Sequence, residues 1–162
     1  MPEKVIVNTS PIFYLHRIRR LNLIEKLYGN VTIPSAVLRE LEEGEKVGED
    51  VPNVTDFNWI KVQYVKIPLY IRMIPDLGKG EVEVLALGCE ETNPLLIIDD
   101  ALARKIAGLQ KLKFTGTAGI LLKAKHKGYI KKIGPIIKQL KENGFYLSDM
   151  LIKNILIIAE ET

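Results

Sequence analysis

The sequence predicts an α/β fold on a central parallel sheet, and three observations carry that expectation. Short apolar runs of strand length alternate with longer segments of helical spacing, which favours α/β over all-α or all-β. Leu95, Leu96, Ile97 and Ile98 are four consecutive β-compatible apolar residues, the pattern of a strand covered on both faces. Two apolar runs also end abruptly in polar residues. Val5-Ile6-Val7 gives way to Asn8-Thr9-Ser10, and the run at 95–98 to Asp99-Asp100. In open parallel sheets ligands lie outside such carboxyl-terminal strand ends.

Along the chain, residues 5–7 read as a buried strand. Residues 11–28 read as one or two helices closed by Gly29-Asn30. A second short strand covers 31–33. Pro34-Ser35 then opens a helix to about Glu43, with Val37, Leu38 and Leu41 on one side. Gly44, Gly48 and Pro52 break the acidic stretch 44–58, which reads as a loop. Residues 59–65 alternate as a strand with one wet face. After Pro75, Gly78 and Gly80, a helix starts near Glu81, with Val82, Leu85, Ala86 and Cys89 as its apolar stripe.

The strand at 95–98 leads to a helix over 101–109 and a short strand over 112–114. Residues 115–119, Thr-Gly-Thr-Ala-Gly, turn into a helix ending near Gly128. Pro135 at its start and Gly144 past its end bracket another helix. Ser148 is placed as N-cap of a last helix through Ala159.

At 162 residues and 47% hydrophobic, the chain is long enough for one domain with a substantial core. A net charge of +3 is compatible with nucleic acid without pointing to it. The lone Cys89 makes no internal disulfide, so a reducing, cytoplasmic setting and a small apolar core role are expected for it. No apolar stretch reaches the roughly 20 residues of a membrane span, and the N-terminus lacks a signal-peptide core.

The strand-end rule selects Asn8, Thr9 and Ser10, then Asp99 and Asp100, then Thr115 and Thr117. Glu81, at a helix start beside two glycines, and Glu40 are candidates to join them. Clustered carboxylates repel, and a divalent cation removes that repulsion. Oxygen-only donors favour Mg²⁺ or Mn²⁺ over zinc. Such an ion suits metal-assisted hydrolysis of a phosphodiester. The plain alternatives are that Asp99 and Asp100 are N-caps and that Glu40 and Glu81 are solvated helix acids. Periodicity alone does not separate Glu40 from Glu42, or Glu81 from Glu83.

Five blocks then carry a resemblance: Val-Asn-Thr-Ser-Pro at 7–11, Ile-Pro-Ser-Ala-Val-Leu-Arg-Glu-Leu at 33–41, and Gly-Glu-Val-Glu-Val-Leu-Ala-Leu at 80–87. Ile-Ile-Asp-Asp-Ala-Leu-Ala-Arg follows at 97–104, and Thr-Gly-Thr-Ala-Gly-Ile-Leu at 115–121 with Ala-Lys-His-Lys-Gly at 124–128. Together, in this order over roughly residues 4–147, they resemble a PIN domain of a prokaryotic branch. The resemblance implies a three-layer α/β/α sandwich with a central parallel sheet, residues 1–162 forming a single PIN-like domain. Residues 128–162 would be a C-terminal helical part packing on it. It implies a Mg²⁺- or Mn²⁺-dependent ribonuclease, the toxin of a toxin–antitoxin pair, with RNA as substrate, a small antitoxin protein as inhibitor and a homodimeric state.

The family's acidic quartet maps onto Asn8, Glu40, Glu81 and Asp99, with Asp100 as a neighbour able to share the role of Asp99. Thr9 and Ser10 would lie at the metal rim and Thr115 would orient a ligand or water. The departure is Asn8, where the family places Asp. Asn keeps one carbonyl oxygen, removes a full negative charge, and turns amide donors toward neighbouring carboxylates. Weakened metal affinity and hydrolysis follow as expectations, with Asp76 considered as a replacement acid.

Lys123, Lys125, His126, Lys127, Lys131 and Lys132 form a basic cluster suited to an RNA backbone, Lys123 and Lys127 being the chosen contacts; a solvated helix end is the plain alternative. His16 and His126 lack catalytic spacing and read as surface residues. Trp59 and the tyrosines read as packing residues. The last helix carries an apolar face broad enough for core packing or a subunit contact. A non-catalytic PIN-fold module that binds RNA or protein is the second reading. A receiver-like phosphoryl-transfer domain is the third, and it lacks the acid it needs at Asn8-Thr9-Ser10.

Overall fold

A computed structural model describes residues 2–161. Among these residues β1 (Lys4–Val7), β2 (Val31–Pro34), β3 (Ile60–Gln63), β4 (Pro94–Ile97) and β5 (Lys113–Thr115) form a parallel sheet in the order β3-β2-β1-β4-β5. The register sets Ile6 opposite both Thr32 and Leu96, Ile33 opposite Val62, and Ile97 opposite Thr115. Val5, Ile6, Val7, Ile33, Leu96 and Ile97 are buried, as expected of central strands covered on both sides. The chain winds from β1 outward to β3, then crosses to β4 and β5. The switch between β1 and β4 opens a crevice at their carboxyl ends.

Helices cover both faces, giving the three-layer α/β/α sandwich. One group is α3 (Ser35–Lys46), α4 (Leu69–Arg72), α5 (Lys79–Glu90) and α6 (Ala101–Leu109), in which α5 packs against the other three. The other includes α1 (Thr9–Arg17), α2 (Asn22–Tyr28), α7 (Thr117–His126), α8 (Gly134–Glu142) and α9 (Asp149–Ile158), with α7 packed against α2 and α9. Ile136, Ile137 and Leu140 of α8 and Ile155 of α9 join the same core as the strands. Ser148 Oγ accepts from Leu151 N at 3.1 Å, the expected cap of α9.

Several expectations need correction. Helix α3 continues to Lys46, into the expected loop, and a short 3₁₀ turn at Val54–Asp56 pins the remainder through buried Val54. Helix α4 has no counterpart in the sequence reading. It is a single turn anchored by buried Ile71, too short to show a period. Strand β5 lies one residue later than expected because Thr115 pairs with Ile97. Residues 11–28 hold two helices, within the expected one or two, with Arg19 left-handed between α1 and α2 (φ +62°). Cys89 is exposed, not a core residue: it sits at the far end of α5, while Gly88 beside it faces Leu96 and Leu112. Trp59 is buried as expected, but Tyr64, Tyr70, Tyr129 and Tyr146 are exposed.

The C-terminal segment is stapled to the start of α8. Glu161 accepts from the amides of Ile133 (2.7 Å) and Gly134 (3.0 Å) and from Lys125 Nζ (2.7 Å), while Lys125 also donates to the Ala159 carbonyl. Burial works to raise the Glu161 carboxyl. The two amides and the ammonium outweigh it and bring the pKa down to about 2.

Candidate functional site

The β1 end builds the first corner. Asn8 follows Val7 in extended conformation, its amide donates to the Ile97 carbonyl at 3.0 Å, and it is buried. It precedes α1 without capping it through its side chain. Its side-chain oxygen Oδ1 is buried and has no hydrogen-bond partner, whereas its amide hydrogen-bonds the Glu81 carboxylate. An orphaned buried carbonyl oxygen costs about 1–3 kcal/mol.

Helices α3 and α5 bring the acids. Their crossing is close because Gly80 carries no side chain. A Cβ there would collide with Glu40 Oε1 and stand 2.8 Å from Asn8 Oδ1. Those two oxygens therefore converge on one spot above the α5 backbone. Glu40 is held from the other side by Thr9 Oγ1, which donates to Oε1 at 2.5 Å. Glu81 occupies the first turn of α5. Burial raises its pKa most; its own backbone amide lowers it, Glu40 and Asp100 raise it, and the Asn8 amide lowers it. The net direction is upward.

The β4 end differs. Asp99 Oδ1 accepts from Thr117 N at 2.7 Å, and Oδ2 accepts from Thr117 Oγ1 (2.8 Å) and Ser10 Oγ (3.0 Å). It therefore caps the start of α7 and ties α1 to α7. Gly116 permits this approach, since a Cβ there would lie 2.8 Å from Asp99 Oδ1. Asp100 is the N-cap of α6, accepting from Ala103 N at 2.9 Å, yet its charge still reaches Glu81.

Asn8, Thr9, Ser10, Glu40 and Glu81 line an open cleft of about 550 Å³, together with Phe13 and the segment from Leu41 to Val51. Asp99 and Thr115 line a separate, smaller hollow with Arg104 and Phe114. Lys123 and Lys127 are six and ten residues beyond Thr117, about 9 and 15 Å along the helix direction, outside the cleft. Lys123 Nζ lies 4.5 Å from the Tyr28 ring centroid. Asp76 is an exposed turn residue (φ +67°) outside the cleft lining. A hollow of about 560 Å³ at the opposite strand ends is lined by Lys4, Gln63 and Glu91. There Lys4 donates to Gln63 (2.6 Å) and Glu91 (3.0 Å).

Thr117, which the strand-end rule selected, is wholly buried on Asp99. Two features escaped the sequence reading. Phe13 lines the cleft one turn beyond Thr9. Glu83 is no surface acid. It is buried and accepts from Ser35 Oγ (3.0 Å), Ala36 N (2.9 Å) and Arg39 Nη2 (3.2 Å), which caps α3 and so orients Glu40. Its signal was the Ser35 that opens α3, a residue that needs a partner at a helix start.

A hard divalent cation fits the donor chemistry of the Asn8 corner: all oxygen, one of them orphaned, beside carboxylates that repel. Among the described residues, no three His, Cys, Asp or Glu side chains are gathered into a metal-holding group, so the carbonyl of Asn8 is needed for the set. A family model described as a PIN domain (DUF3368) matches residues 4–161. No curated protein and no solved structure matches the chain.

Proposed function

Because the chain belongs to the PIN-domain family, we propose that it is a Mg²⁺- or Mn²⁺-dependent ribonuclease, the toxin of a toxin–antitoxin pair, weakened at Asn8. The observation that carries this reading is the buried, partnerless Asn8 Oδ1 converging with Glu40 over Gly80. Asn8, Glu40 and Glu81 would hold the ion, with Asp99 and Asp100 completing the set from the β4 end. Bound there, a divalent ion supplies an activated water and neutralises charge on a phosphodiester.

The chain's own residues prepare the rest. Thr9 fixes the Glu40 carboxylate, and Ser10 and Thr117 fix Asp99. Ser10 and Thr115 are assigned to the substrate at the rim. Lys123 and Lys127 are assigned to backbone phosphates further along the RNA, where lysines supply sequence-independent affinity. The Asn8 amide donates to Glu81 where the family's Asp would add charge. That removes one unit of attraction for a cation and turns a donor toward its ligand.

The same reading includes a single PIN-like domain over 1–162, a small antitoxin protein as inhibitor, a homodimeric state and a cytoplasmic setting. Among the described residues no helix is long and apolar enough to cross a membrane. The second reading, a non-catalytic module that holds RNA or protein, draws on Asp99. Its carboxylate is already engaged by three protein donors.

Cleavage of single-stranded RNA with Mg²⁺ or Mn²⁺ separates the two. The nuclease reading expects slow, metal-dependent cleavage, abolished in Asp99→Ala and at least tenfold faster in Asn8→Asp. RNA binding without metal and without cleavage, in both wild type and Asn8→Asp, selects the binding module.

A further inference from the structure

Helix α1 carries a stripe that leads out of the acid cleft. Thr9, Ser10 and Phe13 line the cleft, and Arg17 stands one turn further along the same helix. Residues 10, 13 and 17 are spaced i, i+3, i+7 and so share one face. Ser10 and Arg17 lie about 10 Å apart along the axis. Helical side chains lean toward the N-terminus, which sends Arg17 back over Phe13. Its guanidinium carbon lies 4.2 Å from the Phe13 ring centroid, a cation–π contact.

Arg17 has no polar partner. Its Nε is buried without a hydrogen bond, and among the described residues its side chain forms no ion pair. The adjacent His16 does reach an acid, its Nε2 lying 3.0 Å from Asp50 on the segment that follows α3. A cation placed only to complement the carboxyl end of α1 would stay in water. This one is laid on an aromatic ring with one donor out of water, a cost that the fold carries. Arg17 is a guanidinium in want of an acceptor.

The charged lining of the cleft is all acidic: Glu40, Glu43, Glu49 and Glu81. A polyanion entering it meets repulsion that an ion at the Asn8 corner relieves at one point only. We propose that Arg17, seated on Phe13, anchors a second phosphate of the RNA strand whose scissile phosphate lies at the Asn8 corner. A phosphodiester strand offers acceptors at intervals, so one meets the corner and a later one meets Arg17. The planar guanidinium suits phosphate oxygens, which it holds in bidentate pairs. Phe13 is the positioning residue, holding that plane at the edge of the cleft. The inference rests on the RNA reading of the cleft and adds to it the residue that lays the strand along α1.

Salt dependence separates a phosphate contact from a packing role. The measurement is fluorescence anisotropy of a short labelled oligouridylate on the full chain, across a range of salt concentrations. It is made in EDTA and again in Mn²⁺, before cleavage accumulates. Arg17→Gln keeps a stem on Phe13 and removes the charge. It should weaken binding about tenfold and reduce the slope of log K against log salt by about 0.7, the share of one single-strand phosphate. Arg17→Lys should restore the slope without the full affinity, since an ammonium lacks the planar fork. Phe13→Leu should weaken binding about two- to fivefold, the worth of one exposed cation–π contact, with the slope unchanged. If the wild type binds, an unchanged slope in Arg17→Gln, or a slope lost equally in Arg17→Lys, overturns this inference and leaves the proposed function standing. A wild type that binds no RNA in either buffer overturns both.

Discussion

Glu81 and Glu161 are the same side chain in opposite circumstances. Both lose water, and in both that loss pushes the carboxyl upward. Glu161 meets two backbone amides and the Lys125 ammonium, and its pKa falls to about 2. Glu81 meets Glu40 and Asp100, and with only its own backbone amide and the Asn8 amide to help, its pKa stays raised. Burial therefore does not decide where a carboxyl titrates. The sign of what surrounds it does: Glu161 is already neutralised by the protein, whereas Glu81 stands among like charges that a proton or a bound cation would relieve.

The largest effect expected from that contrast is at the staple. Glu161→Ala strands Lys125 and two amides, and should cost about 3 kcal/mol in urea unfolding at pH 7. The pH sign follows from the lowered pKa. The native carboxylate contributes fully above the unfolded value of about 4.5. It loses that contribution as pH falls toward about 2, where the variant and the wild type should converge. A penalty that persists unchanged at pH 2 breaks the contrast.

Gly80→Ala comes next. Its Cβ collides with the Glu40 carboxylate and crowds the Asn8 amide, side-chain ends that must swing aside. Ala favours the helix over Gly, so the net loss on thermal or chemical unfolding should stay within about 1 kcal/mol. The same change in Asn8→Ala should cost less, because one of the two obstructing oxygens is gone.

Glu81→Gln should be the smallest and opposite in sign. A carboxyl whose native pKa is raised binds its proton more tightly when folded. Its ionised form therefore subtracts stability progressively as pH rises from about 4.5 through the native value. Removing the charge should stabilise the fold at pH 7, within about 1 kcal/mol because the group is half-buried. Unchanged stability from pH 4 to 8 contradicts the assigned repulsion.

Most of the fold was legible because strands and helices announce themselves locally. The run at 95–98 reads as a buried strand from four residues, and Ser148 and Pro135 mark helix starts. The site was legible one corner at a time, since polar residues at strand ends mark a crevice. What periodicity hid is the tertiary choice between neighbours. Glu81 and Glu83 differ by two positions, yet one turns into the cleft and the other caps α3 through Ser35 and Ala36. The adjacent Asp99 and Asp100 were equally ambiguous: both cap helices, one locally and one across the sheet end. Helix α4 and the exposure of Cys89 depend on what covers them, which a single sequence does not display.

The central claim is that Asn8, Glu40 and Glu81 form a hard-cation site held below full strength by an amide. Isothermal titration of Mn²⁺ into the wild-type chain and Asn8→Asp tests it without reference to catalysis. The account predicts that Asn8→Asp binds at least tenfold tighter, about 1.4 kcal/mol, and that adding Glu40→Gln reverses the gain. Equal or weaker binding by Asn8→Asp would contradict it.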